Sequence, residues 1–155
     1  MSDQVSRIED EAMQSAIARA LRAHEDSGRT GIAAAVIFNG KVITTAENHV
    51  NQNGDPTRHA EIVALNEAAE ILSVDELASC TLISTLQPCE MCLSAIRFCG
   101  IERIVFAARK ASVAGKYFVF PKLELEDFYA AGGAFSHVGG VREQEVVHLY
   151  ADGEE

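Results

Sequence analysis

The stretch IAAAVIFNGKVITTA, residues 32–46, is the strongest architectural signal in the chain. Ile32 to Phe38 is an apolar run too short for an ordinary helix, so it reads as a buried strand. Asn39-Gly40 follows, the dipeptide that best accepts the positive φ angles of a tight hairpin turn. Lys41 to Ala46 then returns as the second strand. Upstream, residues 3–26 place Val5, Ile8, Ala12, Met13, Ala16, Ile17, Ala20 and Leu21 at three- and four-residue spacing, the period of an amphipathic helix. Ser27-Gly28 ends it. Downstream, residues 47–54 read as loop, and Asp55-Pro56 reads as the cap and first position of a helix running to about Leu72. Thr81 to Thr85 is a third strand. Pro88 opens a helix through about Phe98, and Ile104 to Ala107 is a fourth strand. A helix from Pro121 to Ala131 and a fifth strand from Val146 to Tyr150 complete the reading. The order predicts an α/β fold of three α/β/α layers around a central mixed five-stranded sheet.

The chain has 155 residues, 48% of them hydrophobic, which suits one domain over residues 1–155 with a sizeable core. No apolar run approaches the ~20 residues of a membrane helix. The first ten residues are polar and acidic, unlike a secretory signal, so a cytoplasmic location is expected. A net charge of −10 is unfavourable for binding a phosphate backbone unless the 13 Lys and Arg residues cluster. Four cysteines in such a chain point to metal or redox chemistry before a disulfide framework.

The chemistry concentrates in two strings, His59-Ala60-Glu61 and Pro88-Cys89-Glu90-Met91-Cys92. Imidazole and thiolate are the usual zinc donors. Cys89 and Cys92 are three apart in the first turn of a predicted helix, where unsatisfied N–H groups favour thiolate. His59 falls near the start of another helix. Three donors leave one coordination position open, the arrangement of a catalytic zinc site, and a carboxylate beside it, Glu61, suits proton transfer. Residues two apart on a regular helix point to different sides, so either Glu61 reaches over the substrate or the helix entry is irregular. Two other readings compete. Cys89 and Cys92 could be a redox pair, which leaves the His-x-Glu motif unused. A closed structural zinc site or interaction module would need a fourth ligand from Cys80, Cys99 or His49, and would have no use for Glu61. Cys80 and Cys99 otherwise read as small core residues, His24, His137 and His148 as surface or packing residues, and Arg58 as a solvated neighbour.

The pairing of H-x-E with P-C-x-x-C resembles the zinc-dependent cytidine and nucleobase deaminase superfamily, a class known for this signature. The longer strings DPTRHAE (55–61) and LQPCEMC (86–92) look like bacterial guanine deaminases and tRNA adenosine deaminases. The resemblance spans roughly residues 5–115 and implies a cytidine deaminase-like fold. It implies Zn2+ held by His59, Cys89 and Cys92, with Glu61 carrying protons while water replaces an amine and ammonia leaves. It also implies substrate contacts from Asn48, eleven residues before the zinc histidine, and from the backbone around Ala60. Relatives close the base pocket with aromatics, which draws attention to Tyr117, Phe118, Phe120, Phe128 and Tyr129. A homodimer is expected on the same ground.

A small-molecule nucleobase is the expected substrate, guanine first. The alternatives are the adenosine of tRNA and cytosine or another aminated heterocycle. The tRNA relatives usually end in a basic helix, whereas residues 143–155 here carry Glu143, Glu145, Asp152, Glu154 and Glu155 and no Lys or Arg. That contrast makes tRNA the less favoured partner.

Overall fold

The computed structural model describes residues 4–133 and 135–152, with the side chains of residues 51 and 52 outside that description. Helix α1, Arg7–Ser27, begins where the Ser6 hydroxyl accepts from the Glu9 amide and the Glu9 carboxylate accepts from the Ser6 amide. This reciprocal box satisfies two donors that a helix start otherwise leaves open. Gly28, in the left-handed region, closes it. Strands β1, Ala33–Phe38, and β2, Lys41–Glu47, form the hairpin predicted from Asn39-Gly40, both of which take positive φ. The short helix α2, Val50–Asn53, interrupts the segment read as loop. Helices α3, Ala60–Ile71, and α4, Val74–Ala78, lead to β3, Thr81–Leu86. Helix α5, Glu90–Phe98, is followed by β4, Arg103–Ala108, then α6, Leu125–Ala130, and β5, Ser136–Val138.

The sheet order is β2-β1-β3-β4-β5. β1 lies antiparallel to both β2 and β3, whereas β3, β4 and β5 run parallel, so the sheet is mixed and five-stranded as expected. Alternation along each strand feeds two separate cores. Ala35, Ile37, Ile83, Val105 and Ala107 face α1 together with Val146, Leu149 and Tyr150 from the C-terminal segment. Ala34, Val36, Leu82, Ile104 and Phe106 face the opposite layer, which contains residues of α3 and α5 and Leu125 of α6.

Three boundaries differ from expectation, each for a local reason. Asp55-Pro56 does not open a helix. The Asp55 carboxylate accepts from both the backbone and the hydroxyl of Thr57, making a side-chain-closed turn, and α3 begins only at Ala60. Pro121 likewise precedes its helix, which begins after Glu124. The fifth strand is Ser136–Val138, not Val146–Tyr150. The latter folds into 3-10 turns that bury Val146 and Tyr150 completely. The Val146, Leu149 and Tyr150 spacing of three and four suits that turn better than a strand. Among the described residues, no helix is long and apolar enough to cross a membrane.

Candidate metal centre and substrate pocket

His59 and Cys89 are the N-cap residues of α3 and α5, both with extended backbone. Cys92 lies one turn into α5. Of the two alternatives left open by the sequence, the irregular entry is the one observed: His59 sits outside the helix, while Ala60 and Glu61 are its first two residues. This frees Glu61 from the angular offset of a regular helix and lets it line the same cavity as His59.

The His59 Nδ1 lies 3.5 Å from the Cys89 Sγ and 3.6 Å from the Cys92 Sγ. All three donor atoms fall within 4.8 Å of one another. A nitrogen at about 2.05 Å and a sulfur at about 2.3 Å from one zinc ion stand about 3.6 Å apart at a tetrahedral angle. The donors thus already have the spacing that zinc requires. Among the described residues this is the one such cluster, and none of Cys80, Cys99 and His49, the candidate fourth ligands, joins it. Cys80 is a core residue, and burial pushes its thiol up to about 11, away from the ligating form.

Charge in the cluster is shared. A hydrogen bond from the Cys92 thiol, and another from His59, hold the Cys89 thiol down at about 4, so Cys89 is the thiolate. Cys92 is pushed upward because it donates to that thiolate and is buried. His59 is raised by its hydrogen bond with Cys89, against the effect of burial. Glu61 is buried, and burial with the Cys89 charge lifts its carboxyl to about 7.

A cavity of about 710 Å³ opens above these groups. Asn48 lines it, with its Oδ1 accepting from the Val50 amide, which leaves the side-chain NH2 as its donor end. Ala60 is fully buried at the first position of α3. The aromatic residues divide clearly. Tyr117, Phe120 and Phe128 line the cavity. Phe118 packs behind the two cysteines, and Tyr129 turns away to stack on His137 and to meet Phe135 at a tilt.

Residues 113–123 form a lid that is tied down at several points. The Tyr117 hydroxyl bonds Thr30. The Lys110 ammonium donates to the carbonyls of Pro121 and Leu123, and the Phe120 amide donates to Glu90. Glu90 was not singled out for function by sequence reasoning, although it stands inside the cysteine motif. A charged residue at a helix start is ordinary, and only its burial at 7% exposure marks it.

The family model for the cytidine and deoxycytidylate deaminase zinc-binding region matches residues 6–108. The tRNA-specific adenosine deaminase of Aquifex aeolicus is 37% identical over 109 residues, 70% of this chain and 72% of that protein. The guanine deaminase of Bacillus subtilis is 33% identical over 81 residues, 52% of each protein. A structure from a study of A-to-I editing by tRNA:A34 deaminases at the wobble position superimposes with a TM-score of 0.74 and 27% identity. That match covers 90% of this chain and 98% of the other.

Proposed function

The chain belongs to the family of the cytidine and deoxycytidylate deaminases, zinc-dependent hydrolytic enzymes, and from that premise we propose that it deaminates a free nucleobase, guanine first, releasing ammonia. In this reading His59, Cys89 and Cys92 hold the metal. Zinc held there would supply an acidified water, its pKa lowered from about 15.7 towards ~7. Glu61 takes the water's proton and returns protons to the ring nitrogen and the departing amine. The Asn48 side-chain amide and the backbone at Ala60 orient the base, and Tyr117, Phe120 and Phe128 offer it an apolar, aromatic wall. A cytoplasmic homodimer completes the reading.

The observation that carries the preference for a small base is the tied lid. Lys110 spends its ammonium on lid carbonyls, and Arg109 pairs with Glu143. These cations serve the chain's own folding before any phosphate. The acidic residues Glu143 and Glu145 are themselves paired, with Arg109 and Arg142, so they add little free negative charge near the cavity.

A second reading, the adenosine of tRNA, is favoured by the Aquifex alignment, whose identity and span both exceed those with the guanine deaminase. The test is ammonia release from guanine, adenine, cytosine and tRNA, with inosine sequencing of the tRNA. Turnover of guanine is expected. Inosine in tRNA without turnover of any free base would overturn the preferred reading.

A further inference from the structure

Tyr150 is completely buried, and both its side chain and its backbone hold other segments in place. Its one hydroxyl hydrogen goes to the Gly31 carbonyl at 2.7 Å, so the Thr85 hydroxyl is the donor in their 2.8 Å bond. Thr85 in turn accepts from the Ala33 amide at 3.1 Å. The Tyr150 carbonyl accepts from the Ala114 amide at 2.9 Å, where the lid begins. One residue of the C-terminal segment thus ties the α1–β1 connection to the base of the lid. Those two segments meet again in the cavity wall, where the Thr30 and Tyr117 hydroxyls share a hydrogen bond at 3.1 Å. The Tyr117 ring stands edge-on to the Tyr150 ring, with centroids 5.8 Å apart, and packs against the cluster of Cys89, Cys92 and Phe118. We propose that Tyr150 is a positioning residue which, acting through the Thr30–Tyr117 hydrogen bond, fixes the Tyr117 ring as a wall of the substrate cavity before substrate arrives. The inference rests on this cavity being the substrate site, and not on which base fills it.

Three features support it. The anchor is rigid: Gly31 lies so close to α1 that a Cβ there would stand 1.8 Å from the Ala20 carbonyl oxygen, so Thr30 hangs from a fixed post. The wall is worth fixing. An aromatic face that is already ordered pays no ordering cost when a planar base stacks on it, whereas a face free to swing pays that cost on binding. The effect therefore falls on KM, while the chemical step stays with the metal donors and Glu61. Lastly, Ala114, Tyr117 and Tyr150 all lie beyond residue 108, where the match to the zinc-binding region ends. The device belongs to the segments that follow that region, and it gives the buried turn at Val146 to Tyr150 a use at the site.

The experiment measures steady-state kinetics on guanine for Thr30→Val, Tyr117→Phe, Tyr150→Phe and the Tyr117→Phe/Tyr150→Phe double variant. Thr30→Val and Tyr117→Phe each remove the one bond and keep the shape. Each is expected to raise KM by about 3- to 10-fold, the scale of one net neutral hydrogen bond, with kcat nearly unchanged. Tyr150→Phe should raise KM similarly. It should also lower the melting temperature, because the Gly31 carbonyl and the Thr85 hydroxyl lose their buried partner. In the double variant KM should rise no further than in Tyr117→Phe alone, since both changes act on one contact. A Tyr150→Phe that melts early but keeps the wild-type KM, or KM effects that multiply in the double variant, overturns the positioning role. Trypsin supplies an arm independent of turnover. Lys116 is exposed and precedes Tyr117, so cleavage after it should quicken several-fold in Thr30→Val. Cleavage there at the wild-type rate overturns the proposal, whatever base is turned over. A wild type that leaves guanine untouched overturns the free-base reading alone, and the trypsin arm still decides this one.

Discussion

Glu61 occupies the second position of α3 only because His59 stays outside the helix as its cap. A carboxylate at that point, buried and beside the donor cluster, has a chemical use that a structural metal site would lack. Glu61→Ala is expected to retain about one zinc per chain and to lose at least ~100-fold in turnover, the lower scale for a positioned acid–base group. Metal analysis and ammonia release check the two halves separately. Glu143 supplies a stability counterpart. Its hydrogen bonds with Arg109 hold the carboxyl down at about 2, against about 4.3 for an unfolded glutamate. A depressed folded value adds stability above the unfolded one and loses it as pH falls through the folded one. Glu143→Gln should therefore melt below the wild type at pH 7, and the gap should narrow from about pH 4.3 and close near pH 2. A gap independent of pH in thermal melts would contradict the pairing.

Among the elements, α1 and the start of β1 meet without room for a side chain. A Cβ placed on Gly31 would stand 1.8 Å from the Ala20 carbonyl oxygen in the helix backbone. Neither partner is a flexible side chain, so the helix must move. Gly31→Ala is expected to destabilise by about 1–3 kcal/mol, the range for forcing atoms into a packed interior, as read from denaturant unfolding. The elements also show what was legible. Helix α1, the hairpin and strands β3 and β4 follow from local periodicity and turn chemistry, because their burial pattern repeats over several residues. The entry to α3 was not legible. Pro56 satisfies the rule for a first helical position, yet the Asp55 side chain closes a turn against Thr57 and delays the helix by four residues. Val146 to Tyr150 misled in a different way, since a short apolar segment looks alike to strand and turn until its partner surface is known.

At the scale of the whole molecule, the metal donors were legible because thiolate and imidazole at that spacing have few alternative uses. Asn48 could be placed only through resemblance, and the structure does set it in the cavity wall. Glu90 and the sorting of the aromatics could not be read, because both depend on how residues 113–123 fold back over α5. That return is a long-range event with no periodic signature. The donor set has one more consequence, for folding. His59 and Cys89 are 30 positions apart, with α3, α4 and β3 between them. Zinc held by both would pin the two ends of this span together in the folded state. The unfolded chain disperses these donors and cannot hold the ion, so the free energy of zinc binding adds to that of folding. Stripping the metal with a chelator should lower the melting temperature, and restoring zinc should recover it. Zinc-loaded Glu61→Ala should keep most of the zinc-dependent stability despite its lost turnover. The inactive variant and the metal-free protein would then be equally silent in an ammonia assay, yet far apart in a melting curve.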